Sequence, residues 1–133
     1  MKATFALLLL GLTHCSFGPS ADQKAEAGRI SHAVDAIRAA PNDQKQQLFP
    51  ALSSAACVTP DLCEFKRVCT AGYELHLRGL ADTARAKGLL TSGAAPADVT
   101  SALGAASDEL RKAEPLIGNC ADAQGAAHRK YKF

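Results

Sequence analysis

Three cysteines, Cys57, Cys63 and Cys69, stand six positions apart in "AACVTPDLCEFKRVC", and Cys120 lies far downstream. Any fold this chain adopts must place those four sulfurs, so their chemistry is the first question. Structural zinc usually draws on cysteines roughly two to four residues apart, whereas each gap here holds five. A redox pair would read C-x-x-C and a haem attachment site C-x-x-C-H, and neither string occurs. Disulfides remain, and they need an oxidising compartment.

The beginning of the chain agrees with that compartment. "MKATFALLLLGLTHC" reads as an export signal, with Lys2 as its positive start and Phe5 to Leu12 as its apolar run. The run is too short to anchor as a membrane span, which takes about 20 residues. No other stretch is long and apolar enough. We therefore expect residues 1–15 to be a signal peptide or lipoprotein signal, and residues 16–133 to form a single helical domain. The expected location is the outer membrane or periplasm, as a lipoprotein, or the exterior, as a secreted protein.

Cys15 stands where a bacterial lipoprotein carries its lipidated cysteine. Leu12 and Thr13 fit that pattern, and His14, where a small residue is expected, departs from it. Ordinary cleavage is the alternative, although Pro19 disfavours a cut directly after Gly18. Lipidation makes Cys15 the membrane anchor, and cleavage beyond it discards Cys15. Both routes reduce five cysteines to four, an even set suited to two bridges.

The chain carries 27 alanines, no tryptophan and few β-branched runs. Alanine loses no side-chain entropy in a helix, and no segment alternates apolar and polar long enough to read as a strand. Four helices follow. The first spans Ala21 to Ala39, with Ile30, Ala33, Val34 and Ile37 as one stripe before Pro41. The second spans Asn42 or Asp43 to Ala55, with Leu48, Phe49 and Leu52 on one side and Pro50 threatening a kink.

The third helix has Thr59 as N-cap, Pro60 in the first position and Asp61 and Glu64 at its positive end. It should reach Ala86 or Lys87, with Gly88 as its stop. Phe65, Cys69, Gly72, His76, Leu80 and Thr83 fall on its inner arc, opposite Arg67, Glu74, Arg78 and Arg85. The fourth should run from Pro96 to Ile117, with Val99, Leu103, Ala106, Leu110 and Ala113 inward. Pro115, Gly118 and Asn119 end it, and "ADAQGAAHRKYK" adds at most a short frayed helix. Short loops make such helices antiparallel neighbours, so the expected fold is an all-α, up-down bundle of about four helices braced by two disulfides.

Helical geometry restricts the pairing. Cys63 and Cys69 on one helix differ by about 240° and about 9 Å in rise, so they cannot bond to each other. Either Cys57 joins Cys63 and Cys69 joins Cys120, or Cys57 joins Cys69 and Cys63 joins Cys120. Facing favours the first, because Cys69 is on the inner arc and Cys63 is not. Axial register favours the second, because Cys63 and Cys120 stand nearly equidistant from the connector "TSGAAPAD". We adopt the first and leave the second open.

Fifteen Lys and Arg against 13 Asp and Glu leave the chain near neutral, with no nucleic-acid footprint. The basic ending "HRKYKF", with Arg129, Lys130 and Lys132, reads as a loose solvated tail that also holds His128. Glu64 with Arg67, and Asp108 with Arg111 or Lys112, read as surface pairs. No nucleophile elbow, phosphate loop, dinucleotide fingerprint or di-iron pattern appears, so no catalytic residue, metal ligand or cofactor is assigned. His32 and His76 could hold a metal only if they met in the core with Asp35 nearby. Tyr73 and His76 could line a ligand pocket.

The stretch "CVTPDLCEFKRVCTAGYELHLRGL", residues 57 to 80, resembles small uncharacterised secreted proteins and lipoproteins of myxobacteria. That resemblance implies export and carries no activity. The expectation is an exported, non-enzymatic protein that binds an unknown protein or envelope component, or serves structurally. It touches the membrane only through an anchor at Cys15. A small-ligand or metal-binding bundle is the alternative.

Overall fold

The computed structural model describes residues 18–133, so Cys15 and the expected signal segment lie outside the described residues. The fold is all-α. Four helices follow in order: α1 (Ala21–Ala39), α2 (Lys45–Ser53), α3 (Pro60–Thr91) and α4 (Pro96–Tyr131). Two disulfides brace them, Cys57–Cys63 and Cys69–Cys120. No described helix is long and apolar enough to cross a membrane.

α1 starts at a capping box. The Ser20 hydroxyl accepts from the Gln23 N–H, and the Gln23 side chain accepts from the Ser20 N–H at 2.9 Å. Its stripe of Ile30, Ala33, Val34 and Ile37 is buried as the spacing predicts. The far end is closed from outside. Lys45, the first residue of α2, is buried and donates through Nζ to the Ile37 carbonyl at 2.7 Å and the Arg38 carbonyl at 3.2 Å. Those are orphan carbonyls of the last turn, and a cation suits the negative end of the dipole. α2 itself is short. Pro50 does not split it, and the carbonyl that loses its partner belongs to an exposed residue, Gln46.

α3 and α4 depart from the sequence reading at their ends. α3 does not stop at Gly88 but continues to Thr91. Its stop is Gly93, whose φ of 73° is left-handed. The Ala94 N–H bonds the Leu89 carbonyl at 3.0 Å and the Gly93 N–H bonds the Leu90 carbonyl at 3.3 Å, a Schellman ending. Thr59 precedes α3 as expected, but its side chain makes no cap bond.

α4 runs unbroken for 36 residues through Pro115, Gly118 and Asn119 to Tyr131. Pro115 is exposed, and so is Arg111, whose carbonyl loses its partner and can be hydrated. Burial of Ala113 and Cys120 on the opposite side holds the helix across the interruption. The basic ending is therefore not a loose tail. Tyr131 is buried, Lys130 pairs with Asp61 at 2.7 Å, and the His128 and Phe133 rings stack at 4.1 Å.

α3 and α4 form a long antiparallel hairpin, and their seam is the main interface of the fold. Small residues make it possible. A Cβ on Gly72 would meet the backbone of Leu116 and Ile117 at 3.1 Å, and one on Gly79 would meet Leu110 Cγ at 2.7 Å. Gly72, Gly79 and Ala86 recur every seven residues on α3, as do Ala106, Ala113, Cys120 and Ala127 on α4, and all are buried. A seven-residue repeat keeps a seam in register along two helices, and small side chains bring the backbones close. The Cα atoms of Cys69 and Cys120 are 4.6 Å apart.

The larger side chains gather at one end, the base. Ile30, Val34, Ile37, Leu52, Leu62, Phe65, Tyr73 and Tyr131 form one buried cluster that draws on all four helices. That cluster includes no residue of α3 beyond Tyr73 and none of α4 before Cys120. Towards the connector at residues 92–95, the hairpin narrows to Ala86, Ala102 and Ala106, and Leu90 and Leu103 are 68% and 51% exposed.

Candidate functional site

The two disulfides occupy different settings. Cys69 and Cys120 are fully buried in the α3–α4 seam, where the bond is a staple and nothing else can reach it. Cys57 and Cys63 are half-buried, close the short turn before α3, and line an open cleft of about 400 Å³. Ser53, Lys66, Arg67, Thr70, Ala71 and Glu74 complete its walls. Lys66 Nζ donates to the Ala55 carbonyl at 2.6 Å and ties the turn to α3. Arg67 is engaged with Glu64 at 2.6 Å, a surface pair at the positive end of α3. Thr70 Oγ1, on the cleft wall, is buried without a partner.

Behind the disulfide stands Glu26 of α1, which the sequence reading did not single out. It is buried, with one oxygen accepting from the Val58 N–H at 2.6 Å and the Thr59 N–H at 3.1 Å. Its other oxygen accepts from the Thr59 hydroxyl at 2.8 Å. Glu26 therefore takes over the capping partner of α3 and ties α1 to the cysteine turn. Burial pushes its carboxyl up, but the bonds from Val58 and Thr59 and the charge of Arg29 outweigh it and hold the group below its ordinary range. Glu26, Cys57 and Cys63 place one donor atom each within 4.8 Å of one another. They are the one such trio among the described residues.

The histidine readings come out differently. His32 and Asp35 are exposed on α1, His76 is half-buried on α3, and they form no ligand group. Burial, and next the nearby charge of Lys45, push the His76 imidazole below its ordinary range. Tyr73 is buried in the core, not on a groove. His128 is held on α4, with Nε2 3.3 Å from the Ser31 hydroxyl.

A second polar cluster joins α1 to α4. Gln124, buried, donates to the Ser31 hydroxyl at 2.7 Å and to Asp35 at 2.9 Å, and accepts from Arg38 at 2.7 Å. Its role is to orient α1, since every one of those polar atoms finds its partner inside the protein. At the end of the base, Asp61 accepts from the Tyr131 hydroxyl at 2.7 Å and from Lys130. Burial pushes the Asp61 carboxyl up, and the Lys130 and Tyr131 bonds more than reverse it, leaving the group below its ordinary range. Gly18 and Pro19 lie beside this cluster, so the chain enters the fold at the base, opposite the connector at 92–95.

The Ser31 hydroxyl lies 3.3 Å from His128 Nε2, but Ser31 is buried and its hydroxyl also accepts from Gln124. The strongest feature is an accessible sulfur pair beside a fixed carboxylate, at the end where the chain enters. No family model matches the chain, and no curated protein or solved structure to which it was compared matches it either.

Proposed function

We propose that this is an exported, non-enzymatic protein of the cell envelope that holds a stiff helical hairpin away from its point of attachment and presents it to a partner. The observation that carries the reading is the division of the molecule. The base contains the large core side chains, both disulfides and the entering chain, while the far part of α3 and α4 meets no other helix in the core cluster. If Cys15 is the anchor, the base faces the membrane and Leu90 and Leu103 point away from it.

The partner is a protein or another envelope component. Exposed Leu90 and Leu103 on a narrow two-helix end suit a partner groove of apolar character. Photo-cross-linking residues placed at positions 90 and 103, and at position 25 on the base, test this in producing cells. The reading expects discrete adducts from the first two positions and none from the third. Turnover of peptidoglycan or ester substrates by the purified mature protein contradicts it.

A further inference from the structure

We infer that reduction of the Cys57–Cys63 bridge turns the base of this protein into a binding site for a soft divalent cation, with the two cysteine sulfurs and the Glu26 carboxylate as ligands. This inference is independent of what the hairpin binds.

The geometry carries it. The three donors already lie within 4.8 Å of one another, and the Cα atoms of Cys57 and Cys63 are 5.3 Å apart. Two sulfurs on one tetrahedral ion at about 2.3 Å stand about 3.8 Å apart, so the freed thiolates need only a small rotation to share one. The carboxylate is preorganised. Val58 and Thr59 hold both its oxygens, and these bonds act as the outer shell that orients a metal-binding carboxylate. The oxygen that takes the Thr59 hydroxyl also shares the Thr59 N–H, at 3.4 Å, and that longer bond is the one a cation would replace. Cys63 lies in the first turns of α3, where the helix dipole favours a thiolate.

Access is selective. Cys57 and Cys63 border the open cleft, whereas Cys69 and Cys120 are fully buried. A dithiol reductant passes two electrons and two protons to the first bridge and is itself left as a disulfide. Cation binding then releases both thiol protons to solvent. The bond to Cys69 stays closed and keeps α3 and α4 together. Three protein ligands leave a coordination position open to water or to an incoming group, the pattern of open soft-metal sites.

The test uses residues 16–133, which exclude Cys15, treated briefly with a phosphine, freed of it without air, and titrated with cadmium. Alkylation and mass mapping should find the thiols at Cys57 and Cys63 alone. Cadmium should then give a thiolate charge-transfer band that saturates at one ion per chain, absent from the oxidised protein. Glu26→Gln should weaken binding about tenfold or more, and Cys57→Ser should abolish the band. Should Glu26→Gln unfold, as read by circular dichroism, X-ray absorption at the cadmium edge decides, with two sulfur neighbours expected. No saturable band, a sulfur count other than two, unchanged affinity in folded Glu26→Gln, or equal labelling of Cys69 and Cys120 overturns the site.

Discussion

At the scale of single residues, two kinds of position fix the fold: glycines that let helices touch, and polar side chains that close helix ends. Gly72 and Gly79 are the first kind. Alanine is worth about 1 kcal/mol more than glycine inside a helix, so substitution should help where there is space. At Gly104 and Gly118, where an added Cβ meets nothing, Gly→Ala should raise the unfolding free energy by about 0.5–1 kcal/mol. At Gly72 the new methyl meets backbone, and at Gly79 it meets Leu110, so both should lose about 1–3 kcal/mol, Gly72 the more because backbone cannot rotate away. Chemical denaturation of the four variants checks the signs. Glycine is conspicuous in sequence, but its meaning here needs the facing helix. The seven-residue recurrence of small residues is the signal that would have revealed the seam, and inner-arc reasoning on one helix passes over it.

Glu26 is the second kind, and its charge makes a pH prediction. Its folded carboxyl titrates below the unfolded one, so its contribution is present above the ordinary glutamate range and is lost as pH falls through the lowered folded value. Melting temperature measured downwards from neutral pH should drop in that acid window. The drop should be smaller in Glu26→Gln, which should also cost about 1–3 kcal/mol at neutral pH through the weakened bonds to Val58 and Thr59. An identical acid profile in the variant contradicts the assignment. No periodicity marks Glu26 as buried, because its partners lie in the cysteine turn more than thirty residues ahead.

At the scale of elements, the helices themselves are legible and their ends are not. The stripe on α1 and the Thr59-Pro60 opening of α3 can be read directly from local chemistry. The close of α3 cannot, because Gly88 and Gly93 are equally eligible and only Gly93 takes the left-handed geometry. That choice also decides the register argument. Ending α3 at Gly88 sets Cys63 level with Cys120, whereas continuing it to Thr91 brings Cys69 level, which is the pairing observed. Pro115 likewise promises a break that the hairpin seam overrides. Lys45 belongs to this scale because it joins two elements. Lys45→Met keeps the stem and removes the bonds to Ile37 and Arg38, and should cost about 1–3 kcal/mol by calorimetry. The two bridges differ as elements too. In the chain-entropy view, opening the short one costs about 2 kcal/mol and the long one about 4 kcal/mol, so paired Cys→Ala replacement at Cys69 and Cys120 should be the more damaging.

At the scale of the whole molecule, the helices predict an elongated shape. At about 1.5 Å per residue, the 36 residues of α4 extend about 54 Å. A compact chain of this size has a radius of gyration of about 13 Å. Small-angle scattering of the mature monomer should therefore give a clearly larger value, and a value at the compact figure contradicts a projecting hairpin. Both sulfur bridges lie in the dense base, and the lean seam towards the connector holds neither. A seam of alanine and glycine brings backbones close but buries little area, so the covalent tie at its base end, Cys69 with Cys120, stabilises what packing alone holds weakly. The most direct measurement is peptide mapping of the naturally produced mature protein without reduction. The account predicts two linked pairs, Cys57 with Cys63 and Cys69 with Cys120. Four free thiols, or Cys57 joined to Cys69 with Cys63 joined to Cys120, contradict it.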